Sequence, residues 1–163
     1  MNVDWMSIPL HSSPASFSLW HTLKDWVEGV KLAAEINTQD EMLLAKTIID
    51  AAPDGIITST HLTNEIPSTI QVFYETASLD QVKTELNNSI ILSFKMDTVL
   101  INDMLLKIPP DKVFVQYPWT MDSLKALLET GYKGGVCFLG GKEDKTGLKD
   151  YQAMDEMLEI LVK

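Results

Sequence analysis

The stretch VKLAAEINTQDEMLLAKTIIDAAPDGIITST, residues 30–60, contains the unit that decides the fold. Short apolar runs at 30–36 and 55–59 are typical of buried strands. The segment between them is long enough for one helix and two short turns. A strand, a helix and a second strand in this order predict a parallel βαβ crossover.

The helix of this unit has its own signals. Thr38 and Glu41 stand at the spacing of a capping box, which predicts the first turn of the helix here. Leu44, Ile48 and Ala52 recur every four residues and predict its buried face. The turn before the next strand then follows at Pro-Asp-Gly, a sequence typical of chain reversal.

The same alternation continues on both sides of this unit. Further apolar runs predict strands at 5–9, 69–75, 89–96, 112–117 and 135–139. Helical periodicity predicts helices near 16–27, 98–107, 121–130 and 151–162, and one that begins with the capping-box pair Ser78 and Gln81. Gly29 and Gly131 are predicted to end the helices that precede them.

Seven βα units in 163 residues leave about 23 residues for each, close to the minimum for a strand, a helix and two short loops. We therefore predict a single α/β domain over 1–163, a small or incomplete parallel (β/α) barrel of the TIM-barrel type. An open doubly wound sheet is the alternative. A missing eighth strand leaves an open edge, and a homodimer is one way to cover it.

Composition excludes several classes of function. The chain has a formal charge of −10 and contains no arginine, so we expect no nucleic-acid partner. No apolar run approaches the length of a membrane span, and no positive region precedes the first apolar segment, so we expect a cytoplasmic protein without a membrane partner. The single cysteine, Cys137, and the isolated histidines predict no metal site, and we expect no cofactor.

Ligand sites of parallel α/β folds lie at the carboxyl ends of the strands. Glu35 and Glu75 end predicted strands that are two apart, and a carboxylate there can act as a general base. Asp97 follows the fifth strand and is a further candidate. The alternative for all three carboxylates is an ordinary solvated strand end.

Lys95 lies in the fifth strand, which otherwise has the pattern of a buried strand. A lysine at the mouth of a barrel can lose its proton on burial and form a Schiff base with a carbonyl substrate. The alternative is a strand-end lysine whose ammonium group reaches the solvent. Trp119, just after the sixth strand, is a core or interface residue or lines a pocket.

Gly140, Gly141 and Lys142 follow the seventh strand. Two glycines allow close approach to the backbone, and the lysine supplies a cation, so the turn suits a phosphate group. The order of residues is not that of a Walker A loop. An ordinary strand-to-loop turn is the alternative.

The C-terminal residues 112–162 resemble the last two βα units of phosphoribosylanthranilate isomerase, a barrel enzyme of tryptophan biosynthesis. The resemblance rests on Gly140-Gly141, Lys142-Glu143 and the segment TGLKD at 146–150, with weaker similarity at 30–60 and 70–82. It implies a sugar-phosphate isomerase whose final turn, Gly140 to Lys142, binds the phosphate of a small phosphorylated metabolite.

Two alternatives to an isomerase remain open. Ala33 stands where the resembled family has its catalytic cysteine, no segment matches the one that carries the family's aspartate general acid, and the family's arginine cannot be present. These differences favour a non-catalytic protein that binds phosphorylated metabolites or regulates through them. The other alternative is a lyase that forms a Schiff base through Lys95.

Overall fold

A computed structural model describes residues 3–36, 40–60, 66–77, 89–93, 109–139 and 152–161. Its strands are β1 (Trp5–Pro9), β2 (Lys31–Glu35), β3 (Gly55–Thr58), β4 (Gln71–Thr76), β5 (Ser89–Ser93), β6 (Val113–Tyr117) and β7 (Gly135–Phe138). Its α-helices are α1 (Pro14–Trp26), α2 (Glu41–Lys46), α3 (Met121–Glu129) and α4 (Gln152–Leu161). The predicted helices after Ser78 and at 98–107 lie outside the described residues.

The described strands pair in parallel, which confirms the α/β class. In the first region β1 pairs with β2, β2 with β3 and β3 with β4, and Glu35 stands opposite Pro9 on one side and Ile57 on the other. In a second region β6 pairs with β7. Within the described residues no pairing closes a sheet into a ring, so a closed barrel is not observed.

The described contacts divide the chain into two compact units. One contains β1 to β4 with α1 and α2, and the other contains β6, β7, α3 and α4. Strand β5 is divided between them, with Ile90 in the first and Ile91 in the second. The single-domain organisation over 1–163 stays a prediction.

One face of the β1–β4 sheet holds the core of the first unit. Leu32, Ala34 and Ile56 alternate onto this face and are almost fully buried. Phe17 and Trp20 of α1 belong to the same buried cluster. Removing the surface of these apolar side chains from water is the main stabilising term of the unit. It fixes which side of the sheet the helices cover.

Helix α1 begins where the sequence supplies a cap. The Ser13 side chain accepts a hydrogen bond from the Ser16 amide, and Pro14 takes the first helical position, where its missing N–H costs nothing. The helix ends at Trp26 with Val27 as the extended C-cap residue. Gly29 has a φ of +78° but lies beyond this cap, so the prediction that Gly29 itself caps the helix is wrong.

Helix α2 differs from its prediction at both ends. Asp40, not Thr38, is the N-cap residue, because its carboxylate accepts hydrogen bonds from two amides of the first turn. A π-helical turn, Thr47–Ala51, continues the helix. Ala51 is buried, whereas Ala52 is exposed and left-handed, with a φ of +43°. The buried face of the helix therefore ends at Ala51, one residue before the predicted Ala52, because Ala52 is not helical.

In the second unit, Val113 and Val115 of β6 and Leu124 and Leu127 of α3 are completely or almost completely buried. Helix α3 begins with a capping box in which Thr120 and Ser123 bond each other's backbone amides. Gly131, with a φ of +79°, follows the C-cap residue, as predicted.

Candidate functional site

The face of the β1–β4 sheet opposite the helices carries the candidate site. Alternation along parallel strands places Ser7, Ala33, Glu35, Ile57 and Phe73 on this face, since the pairing sets their positions side by side. The core residues of the same strands point to the other side. We call this side, which the helices do not cover, the open face. Ser7 is exposed on it and Glu35 is partly buried, whereas Ala33 and Phe73 are almost fully buried.

Two packed aromatic rings lie on this face toward the amino ends of the strands. The rings of Trp5 and Phe73 meet edge to face, with centroids 4.9 Å apart. Gly55 lies beneath both, because a Cβ at this position would stand 2.8 Å from the Trp5 ring and 3.0 Å from the Phe73 ring. The Lys31 ammonium lies 5.1 Å from the centre of the Trp5 ring. This packing covers the face near the amino ends of the strands.

Closer to the carboxyl ends of the strands, a serine and a carboxylate on neighbouring strands form a pair. The Ser7 hydroxyl donates a hydrogen bond of 2.5 Å to Oε1 of Glu35. This is a typical length for a hydroxyl bound to a carboxylate. Glu35 is partly buried at the carboxyl end of β2. The bond fixes the direction of the carboxylate before any ligand arrives.

Glu75 lies on the same open face. It follows Phe73 by two residues in β4, and β3 separates β4 from β2. Its side chain is partly buried. Two of the predicted catalytic residues, Glu35 and Glu75, thus share one face of one sheet, while their catalytic roles stay predictions.

The remaining predicted site residues, Lys95, Asp97, Gly140, Gly141 and Lys142, lie outside the described residues. Among the residues that are described, no group of three or more His, Cys, Asp or Glu side chains is arranged to hold a metal ion. In the same part of the chain no helix is long and apolar enough to cross a membrane.

A second arrangement lies after the carboxyl end of β6. The Trp119 indole N–H donates a hydrogen bond of 3.0 Å to the carbonyl oxygen of Cys137 in β7. The rings of Tyr117 and Trp119 meet edge to face, with centroids 5.3 Å apart. Trp119 remains partly exposed.

Sequence reasoning missed Ser7. It considered polar residues that end strands, whereas Ser7 is the middle residue of β1. The available signal was alternation: Trp5, Ser7 and Pro9 share a face, and a parallel neighbour brings that face beside Glu35. The register that pairs Ser7 with Ala33 was needed to use this signal.

Comparisons with known proteins support the fold alone. No family model matches the chain, and no curated protein matches it. The chain is similar to the solved structure of a monomeric form of the dimeric phosphoribosylanthranilate isomerase of Thermotoga maritima. The TM-score is 0.63 at 9% identity, over 96% of this chain and 85% of that one. The likeness agrees with the family that the C-terminal sequence resembles, at the level of architecture.

Proposed function

We propose that the chain is an isomerase that moves a proton within a small phosphorylated metabolite, with Glu35 as the proton-transfer group. The observation that carries the proposal is the Ser7–Glu35 hydrogen bond on the open face of the sheet. A likeness in fold to a phosphoribosylanthranilate isomerase makes a sugar phosphate with an aromatic amine the first substrate to test.

The chemistry follows from the two carboxylates. An isomerisation removes a proton from one carbon or oxygen atom and delivers a proton to another, so it needs a base and an acid. Glu35, oriented by Ser7, takes the proton through its carboxylate. We assign Glu75, which lies on the same face, as the partner that supplies a proton. Gly140, Gly141 and Lys142 are proposed to hold the phosphate, and Lys95 and Asp97 remain candidates for further contacts.

The test is turnover of phosphoribosylanthranilate by the purified protein. Glu35→Gln keeps the size of the side chain but removes the base, and we expect kcat to fall about 100- to 10,000-fold. Glu28→Gln, at an exposed position after α1, is the matched control and should leave turnover unchanged. Full activity of the Glu35→Gln protein would rule out this role.

Absence of turnover by the wild-type protein would overturn the isomerase proposal. Calorimetry with a set of sugar phosphates then separates the alternatives, because binding without turnover is the property of a metabolite-binding or regulatory protein. Borohydride trapping of Lys95 with a carbonyl substrate would instead identify a Schiff-base lyase.

Location and assembly belong to the same proposal. We propose a cytoplasmic location for the protein, as expected for an enzyme that acts on small phosphorylated metabolites. A homodimer is proposed as the cover of an open sheet edge. Sedimentation equilibrium at micromolar concentration tests it, and a single monomeric species would remove it.

A further inference from the structure

Trp119 combines two properties that the other tryptophans do not share. Trp20 also donates its indole N–H to a carbonyl, at 2.9 Å, but its ring is 0% exposed. Trp26 is 84% exposed on the last turn of α1. The Trp5 ring is occupied by Lys31 and Phe73. Trp119 alone of the four is tied to a backbone carbonyl and partly exposed, without a cation over its ring among the described contacts.

The orientation of the Trp119 ring is set from two sides. The hydrogen bond from its indole N–H to the Cys137 carbonyl oxygen fixes one edge of the ring. The Tyr117 ring contacts the Trp119 ring with an angle of 62° between the two ring planes. Its backbone amide also donates to the Tyr117 carbonyl at 2.8 Å, which fixes the turn after β6. A ring held in this way loses little further conformational entropy when a ligand binds.

The chemistry left to a ligand is that of the ring surface. The indole N–H is already used, so Trp119 offers no hydrogen-bond donor and can contribute only its π face. The residue also follows the carboxyl end of β6, the place where ligands bind in parallel α/β folds. We propose that Trp119 is the stacking surface of a binding site for a planar aromatic ring.

The experiment uses the full-length protein and anthranilate as the aromatic probe, with cyclohexanecarboxylate as the non-aromatic control. Binding is followed by saturation-transfer NMR. Trp119→Leu keeps an apolar side chain but removes the ring, and we expect anthranilate affinity to fall about 10-fold. Trp26→Leu is the matched control and should bind as the wild type does.

Trp119→Phe separates the ring from its anchor. It retains an aromatic face but loses the hydrogen bond to Cys137, so we expect anthranilate affinity within about 3-fold of wild type even if the melting temperature falls. This variant also keeps the proposal testable if Trp119→Leu does not fold.

Three results would overturn the proposal: unchanged affinity in Trp119→Leu, equal binding of cyclohexanecarboxylate, or tetramethylammonium competing in place of aromatic probes. The last would indicate a cation site on the same ring. The inference does not depend on the isomerase proposal, because anthranilate binding and its loss in Trp119→Leu can be measured whether or not the wild-type protein turns over phosphoribosylanthranilate.

Discussion

The β1–β4 region and the β6–β7 region are alike at the amino ends of their strands and differ at the carboxyl ends. Gly55 begins β3 beneath Trp5 and Phe73, and Gly135 begins β7 beneath Phe114. At the carboxyl ends the first region presents carboxylates, and the second presents an anchored tryptophan. Packing against aromatic rings leaves no room for a side chain at either of these glycines. The carboxyl ends are not restricted in this way, so the two regions can differ there in chemistry.

The glycines test the similarity, with the largest expected effect. In Gly135→Ala the new Cβ would overlap the Phe114 ring, and in Gly55→Ala it would stand 2.8 Å from Trp5. We expect each substitution to lower the free energy of unfolding by about 1–3 kcal/mol, with Gly135→Ala the more severe. Urea unfolding monitored by circular dichroism measures both.

A double variant provides the control for this prediction. Phe114→Leu should recover part of the loss caused by Gly135→Ala, because the smaller side chain makes room for the Cβ. Strict additivity of the two single effects would show that the ring is not what excludes a side chain at position 135.

Tyr132 tests what holds the second region together. Its hydroxyl lies 2.9 Å from the carbonyl oxygens of both Val113 and Gly135, and so links the starts of β6 and β7. Tyr132→Phe should lower the free energy of unfolding by about 1 kcal/mol at neutral pH. Tyr117→Phe, which also removes one hydroxyl from this region, should have a smaller effect.

The same side chain predicts a loss of stability in alkali. Burial, with a smaller contribution from Cys137, raises the pKa of Tyr132 above its ordinary value of 10.0. The unfolded chain then ionises near pH 10 while the folded chain stays neutral, so this contribution is complete below pH 10 and declines as the pH rises. The advantage of wild type over Tyr132→Phe should shrink above pH 10, and an unchanged difference at pH 11 would contradict this.

The smallest expected effect is an increase in stability, from a substitution in the first region. Ala52 has a φ of +43°, a conformation that glycine adopts without the strain of a Cβ. Ala52→Gly should raise the free energy of unfolding by about 0.5 kcal/mol, since relief of strain exceeds the extra entropy of the unfolded chain. Ala126→Gly, within α3, should lower it by a similar or larger amount. A fall in melting temperature for both would contradict the prediction.

Most strands of the described chain could be predicted from the sequence because their apolar runs are short, continuous and separated by turns. The sequence predicts the first strand at 5–9, as observed, and the seventh at 135–139, where the structure has Gly135–Phe138. Parallel pairing followed from the alternation with helices. These features depend on local composition, which a single sequence contains.

Features that depend on geometry between elements could not be predicted. The cap at Asp40 competes with other polar residues nearby, and only the backbone decides which side chain reaches the free amides. The π-helical turn, ended by a left-handed Ala52, shifts the buried position to Ala51, where the carbonyl meets Trp20. The Ser7–Glu35 bond joins residues 28 positions apart and needs the register of two strands.

The alternation of β2 has a consequence for insertions and deletions. Leu32 and Ala34 belong to the helix-covered core, whereas Ala33 and Glu35 lie on the open face. Adding or deleting one residue within Lys31–Glu35 would exchange these two sets, turning a carboxylate toward Trp20 and an apolar leucine toward the site. Length variation among descendants of this chain is therefore expected in the loops, and in strands only in steps of two.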